Sequence, residues 1–246
     1  MLFAEILTLT FAAAIAVAFA GALISGFAGF GLNLVVTPIL AALLSPVEAI
    51  PVVTILGLVN AVRMLGGTWR RIDRREVLVM GLVSIATVPL GAWVLVSVDA
   101  ALMRRAIAAV VILFTLVLLA GWRYRGRRTV VTHAVVGALS GLLNSGVGIG
   151  GPPVVLYQLA RDGDPAIGRA NLVGFFTILA VVTLASFAVN GALDGVAIGR
   201  GLLLAPAVLL GTWIGMRHFS AASAPTYRRI TMGFLLVISV VIVILG

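Results

Sequence analysis

Long apolar runs, separated by short polar or glycine- and proline-containing interruptions, fill this chain from end to end. The pattern predicts ten helical segments, at 3–25, 32–45, 47–66, 77–97, 101–121, 130–144, 150–161, 165–190, 196–217 and 228–246. A helix needs about 20 residues to cross a bilayer, and most of these runs have that length. Segments 32–45 and 150–161 do not, and each follows a glycine-rich break. The breaks read "SGFAGFGLNLVVTP" (Ser25–Pro38) and "NSGVGIGGPPVV" (Asn144–Val155).

The two stretches share a Gly-x-Gly core, Gly29/Gly31 and Gly146/Gly148. After each come a short apolar segment, a proline (Pro46 or Pro165) and a long helix. Further on, "GTWRRIDRREVL" leads into a helix with Gly91, much as "NGALDGVAIGRGL" leads into one with Gly211 and Gly215. A period of this length indicates a duplication rather than a solenoid. The expected fold is therefore an all-α integral membrane protein built from two repeats, 1–121 and 122–246. Each repeat has five segments, or three full crossings if its short pair turns back. An odd number inverts the second repeat relative to the first, an arrangement common in secondary transporters.

Composition agrees with a membrane protein. The chain is 62% hydrophobic and 10% charged, with a mean hydropathy of +1.22, too apolar for a soluble domain. It has no cysteine and two histidines, His133 and His218, so thiolate chemistry is excluded and neither a metal nor another cofactor is expected. The region 1–20 has no basic residue and reads as a retained first helix rather than a cleaved leader. All 17 basic residues are arginine and the net charge is +9. Because the arginines gather in short loops, the expected partner is the anionic inner leaflet, not nucleic acid.

If all ten segments cross, fourteen arginines fall on one side; Arg104, Arg105 and Arg200 fall on the other. The positive-inside rule then puts both termini outside a bacterial-type inner (plasma) membrane. Turning back segments 130–144 and 150–161 as a re-entrant pair leaves the same partition. The charges do not separate those two cases.

Non-helical backbone at membrane depth survives only when buried in protein or lining a wet cavity. The breaks therefore predict a site. Gly29, Gly31, Gly146, Gly148, Gly150 and Gly151 let backbone approach a ligand closely. The N-termini of the helices that follow, 32–45 and 150–161, supply N–H groups and a positive dipole end for an anion. Asn33, Asn144 and Ser145 add side-chain donors at the breaks, and Arg169 places a charge in the helix that opens after Pro165. Asn60, Gln158 and Asn171 are amides in apolar surroundings, which either line a pathway or tie helices together. Arg63 reaches either substrate or the interface. Trp69, Trp122, Tyr124 and Tyr227 are expected at the interfaces, and Asp162 and Asp164 at a turn and cap. A hydrolase reading, from Ser145 with His133 in the same half, lacks a Gly-x-Ser-x-Gly elbow, so no enzyme is expected.

At these residues the chain resembles the TauE/SafE sulfite-exporter (TSUP) family of anion transporters. The likeness runs the whole length and includes both glycine motifs, "TWRRID", and "GVGIGGPPVVLYQLARDGDPAIGRANL". Where the family usually shows three glycines in a row, this chain has Gly31, Leu32 and Asn33. The resemblance implies transport of sulfite or small organosulfonates, usually outward, with proposed importers among its members. A channel for small anions is the alternative. The implied partners are a small anionic substrate, the lipid bilayer and, as an open assembly, a second copy in a homodimer.

Overall fold

The computed structural model describes residues 9–120, 124–161 and 164–220. Nine α-helices make up the described chain: α1 (Leu9–Ala28), α2 (Leu32–Leu43), α3 (Pro46–Thr68), α4 (Arg74–Ser97), α5 (Ala100–Leu119), α6 (Val130–Val147), α7 (Gly151–Leu159), α8 (Pro165–Val189) and α9 (Gly195–Ser220). A single 3-10 turn, Trp69–Arg71, joins α3 to α4. Six of these helices are long and apolar enough to cross a membrane. The all-α membrane fold expected from the hydropathy pattern is what the chain adopts. The predicted tenth segment, 228–246, lies outside the described residues, as do Asp162, Trp122 and Tyr227.

The helix starts follow from capping chemistry. Ser45, Asp73 and Asp164 each place a side-chain oxygen on a first-turn N–H, from Glu48, Glu76 and Ala166 respectively. Pro46 and Pro165 occupy first helical positions, where a missing N–H costs nothing. Thr129 and Thr132 cap α6 reciprocally.

The two short helices pack antiparallel on the helices before them. Gly21 of α1 faces Leu32 and Val36 of α2, and the start of α1 (Thr10, Phe11) shares a surface recess with the end of α2 (Leu43, Leu44). In the second half, Gly150 packs on Ser140 and Asn144, while Tyr157 near the end of α7 meets Thr132 near the start of α6 at 3.4 Å. Each short helix therefore runs antiparallel to its predecessor and ends where that helix began. At 1.5 Å per residue the 9-residue α7 is about 13 Å long, half a membrane core.

The most extensive helix pairings are α4 with α6 and α1 with α9, with α3 against α8 between them. Small residues set both outer crossings. An added Cβ on Gly137 would strike the Met80 carbonyl, and one on Gly91 the Leu142 carbonyl. At the other crossing Gly211 and Gly215 stand equally close to the Phe19 and Leu23 carbonyls. Van der Waals contact at this range is what holds helices together where lipid supplies no hydrophobic contrast. Outward faces stay apolar and exposed: Leu82, Trp93, Leu113, Val131 and Leu202 are each more than half accessible.

Candidate functional site: a cavity between two helix breaks

The second break starts later than the sequence suggests. Asn144, Ser145 and Gly146 are helical, and α6 ends at Val147. Gly148 closes it with φ +74°, its N–H bonded to the Asn144 carbonyl at 3.0 Å and the Ile149 N–H to the Leu143 carbonyl at 3.3 Å. This is a Schellman stop, and the left-handed position needs glycine. The first break has Gly29 at φ +89° and Gly31 at φ +112°, with the Gly29 N–H on the Ser25 carbonyl at 2.7 Å.

The breaks meet. Asn33 and Thr37 of α2 both donate to the Gly148 carbonyl, each at 3.2 Å. Between the breaks lies a cavity of about 60 Å³ bordered by Gly29, Gly31, Asn33, Asn144 and Gly151. At about 30 Å³ for each water in the liquid, that is room for about two waters. Its long walls are one face of α3 (Thr54, Gly57, Asn60) and one face of α8 (Val173, Phe176, Leu179). Each α8 residue lies 119 positions after its α3 counterpart, and the same offset relates Ser25 to Asn144, Phe30 to Ile149 and Asn33 to Pro152.

Among the described residues, none bordering the cavity is charged. The donors are neutral. The first turn of α2 offers the N–H groups of Leu32, Asn33 and Leu34, which have no intrahelical acceptor. In α7 the equivalent turn is Gly151, Pro152 and Pro153, so Gly151 alone retains an N–H. The prolines start the helix as anticipated but halve its value as an anion site, and α2 is the stronger of the two. Asn60 donates to Ser25 Oγ at 2.8 Å and accepts from Thr212 at 2.7 Å, and Asn144 donates to Thr183 at 3.0 Å. These bonds orient both amides at the cavity edge.

The other five candidate residues stand behind the wall. Ser145 is fully buried, donates to the Gly141 carbonyl at 2.9 Å and packs on Gly91, away from His133. Gly146 also faces Gly91, and Gly150 faces Ser140 and Asn144. Gly148 caps α6. Arg169, 4% exposed, donates through Nε to the Phe27 carbonyl at 3.2 Å and through Nη2 to the Gly26 carbonyl. Those carbonyls belong to the last turn of α1, where a cation complements the helix dipole. Its Cγ would lie 2.8 Å from a Cβ on Gly29, which fixes glycine there twice over. Sequence reasoning passed over Ser25, Thr54 and Phe176. The available signal was their spacing: Thr54, Gly57 and Asn60 recur on one face of a helix.

Gln158 and Asn171 belong to a second polar cluster, at the opposite end of α8 from Thr183. Buried Glu76 accepts from Arg128 at 2.8 Å, from Arg161 at 3.0 Å and from Gln158. Asn171 accepts the Asp73 N–H at 2.8 Å, and His133 stands 3.8 Å from Glu76. The Arg128 guanidinium lies 3.9 Å over the Tyr157 ring. This cluster fastens the returning end of α7 to α4 and α6. Arg63 is exposed near the end of α3, and Trp69 is 52% exposed beside Arg74.

The bundle of apolar helices is thus interrupted twice around one cavity, where a few amide and hydroxyl groups sit among mostly apolar side chains. The chain belongs to the Sulfite exporter TauE/SafE family, whose family model matches residues 13–242, and it is accordingly a membrane anion transporter. It is 29% identical over 214 residues to the "Probable sulfite/organosulfonate exporter TauE" of Cupriavidus necator, covering 85% of this chain and 84% of that one. No solved structure matches the chain.

Proposed function

We propose that the protein is a secondary transporter that carries sulfite or a small organosulfonate out of the cell by alternating access. The observation that carries this reading is a cavity bordered by both helix breaks, with wall residues paired at a constant offset. Support for two inverted repeats, 1–121 and 122–246, comes from the helix pairing: α1 against α9 is the counterpart of α6 against α4. Two halves related in this way exchange places when access switches from one side to the other. The membrane is the cytoplasmic one with both termini outside, because fourteen arginines fall on the inner side whether the short helices cross or turn back in pairs.

In this reading the anion rests on the first turn of α2 and the side chains of Asn33, Asn60 and Asn144. Neutral donors suit a carrier, since a substrate held by several buried cations leaves slowly. Arg169 contributes by holding the end of α1 in place and adding a nearby positive charge. The substrate class agrees with the name of the relative from Cupriavidus necator. The test is flux of sulfite and short sulfonates in proteoliposomes. Saturable flux that falls when Asn33 or Asn144 becomes leucine supports the proposal. Absence of flux for every such anion, from folded and inserted protein, overturns it; conductance far above carrier turnover makes it a channel.

A further inference from the structure

The paired walls of the cavity match in position and differ in chemistry. Where α3 presents Thr54, Gly57 and Asn60, α8 presents Val173, Phe176 and Leu179. At the breaks, Asn33 of the first half is answered by Pro152. A duplicated cavity facing a bare oxyanion would have the same donors on both sides. This one has a polar wall, where the first turn of α2, Asn33 and Asn60 supply donors and the Thr54 hydroxyl is already donated to the Ile50 carbonyl at 2.8 Å, and an apolar wall made by α8.

Resting on the functional reading above, we propose that the preferred substrate is a sulfonate carrying a one- or two-carbon apolar group. Its oxygens lie on the polar wall and its carbons lie against Phe176 and Leu179. Three observations converge. The cavity is small, less than half the roughly 150 Å³ that takes a benzene ring, so a group carried by the sulfonate head has to be short. None of the described side chains bordering it is charged, and a singly charged sulfonate costs less to desolvate there than the dianion present in sulfite near neutral pH. Among the described residues no carboxylate borders the apolar wall to receive an ammonium, so an aminoalkyl sulfonate of the same length is disfavoured. Phe176 and Leu179 thus set specificity, and Asn33 contacts the part that all these anions share.

The experiment is competition against labelled sulfite in proteoliposomes, using unlabelled sulfite, ethanesulfonate, 2-aminoethanesulfonate and butanesulfonate. Ethanesulfonate is expected to halve the flux at about one-tenth of the sulfite concentration, the discrimination one or two carbons give in an apolar pocket. The aminated and four-carbon anions are expected to compete no better than sulfite. In Phe176→Ala the tenfold ratio collapses, and Phe176→Leu restores most of it. Asn33→Leu weakens both ligands by the same factor and leaves their ratio alone. Sulfite flux without preference for ethanesulfonate overturns this inference while leaving the transporter intact. So does a Phe176→Ala protein that loses both ligands equally. No flux of any of these anions removes the functional reading and this inference with it.

Discussion

Replacing Gly148 by alanine tests whether the second break is held by local geometry. A Cβ built there lies 2.8 Å from Thr37 Cγ2 and 3.2 Å from both Thr37 Oγ1 and Ile50 Cγ1. The backbone is left-handed at φ +74°, which costs an L-residue about 1–2 kcal/mol. Overpacking against Thr37 and Ile50 adds about 1–3 kcal/mol, because the neighbours belong to two other helices and cannot both retreat. The expected loss is therefore about 2–5 kcal/mol, more if the bonds from Asn33 and Thr37 to the Gly148 carbonyl also lengthen. The two parts separate experimentally. Thr37→Ser deletes the clashing methyl and keeps the hydroxyl, so adding it to Gly148→Ala should recover about 1–2 kcal/mol and leave the backbone cost. Reversible unfolding by SDS titration in mixed micelles gives all four corners of the double-mutant cycle. A Gly148→Ala protein within about 0.5 kcal/mol of wild type, or a cycle with no coupling to Thr37, refutes the reasoning.

Two further substitutions probe what holds the helices around the cavity. Glu76→Gln leaves the guanidinium groups of Arg128 and Arg161 around a neutral amide. Both arginine side chains are about a quarter exposed, so the expected loss is about 2–4 kcal/mol rather than that of a sealed pair; an unchanged SDS midpoint argues against the cluster as a fastener of α7. Gly137→Ala should lower the same midpoint sharply, since its Cβ meets the Met80 backbone, whereas Gly66→Ala has nothing within 4 Å and should gain up to about 1 kcal/mol of helix propensity. Equal effects at the two glycines would count against close backbone packing as the basis of the α4–α6 crossing.

Much of the fold was legible in the sequence because membrane helices announce themselves by length and apolarity. Pro46, Pro165 and the acidic caps marked helix starts, and the undersized runs at 32–45 and 150–161 pointed to the breaks. Site residues were legible only where a polar group or glycine had no helical reason to be present, as with Asn33 and Gly29. The same signal also drew in Ser145 and Gly146, which serve the contact with Gly91. A glycine that admits a neighbouring helix and a glycine that admits a ligand look alike until the neighbour is known.

The sequence by itself determined the elements, their lengths, the duplicated glycine motifs and the loops where the arginines gather. These are set by the chain's local composition and by the bilayer's thickness. Tertiary structure decided that α2 and α7 pack antiparallel on the helices before them, that the breaks converge on one cavity, and that Arg169 binds the end of α1 behind its wall. It also decided that α3 and α8 face each other with unlike side chains. Those outcomes depend on contacts between residues more than one hundred positions apart, such as Asn33 with Gly148. Hydropathy has no access to such pairs, because it records how each residue meets lipid or water and not which helix it meets.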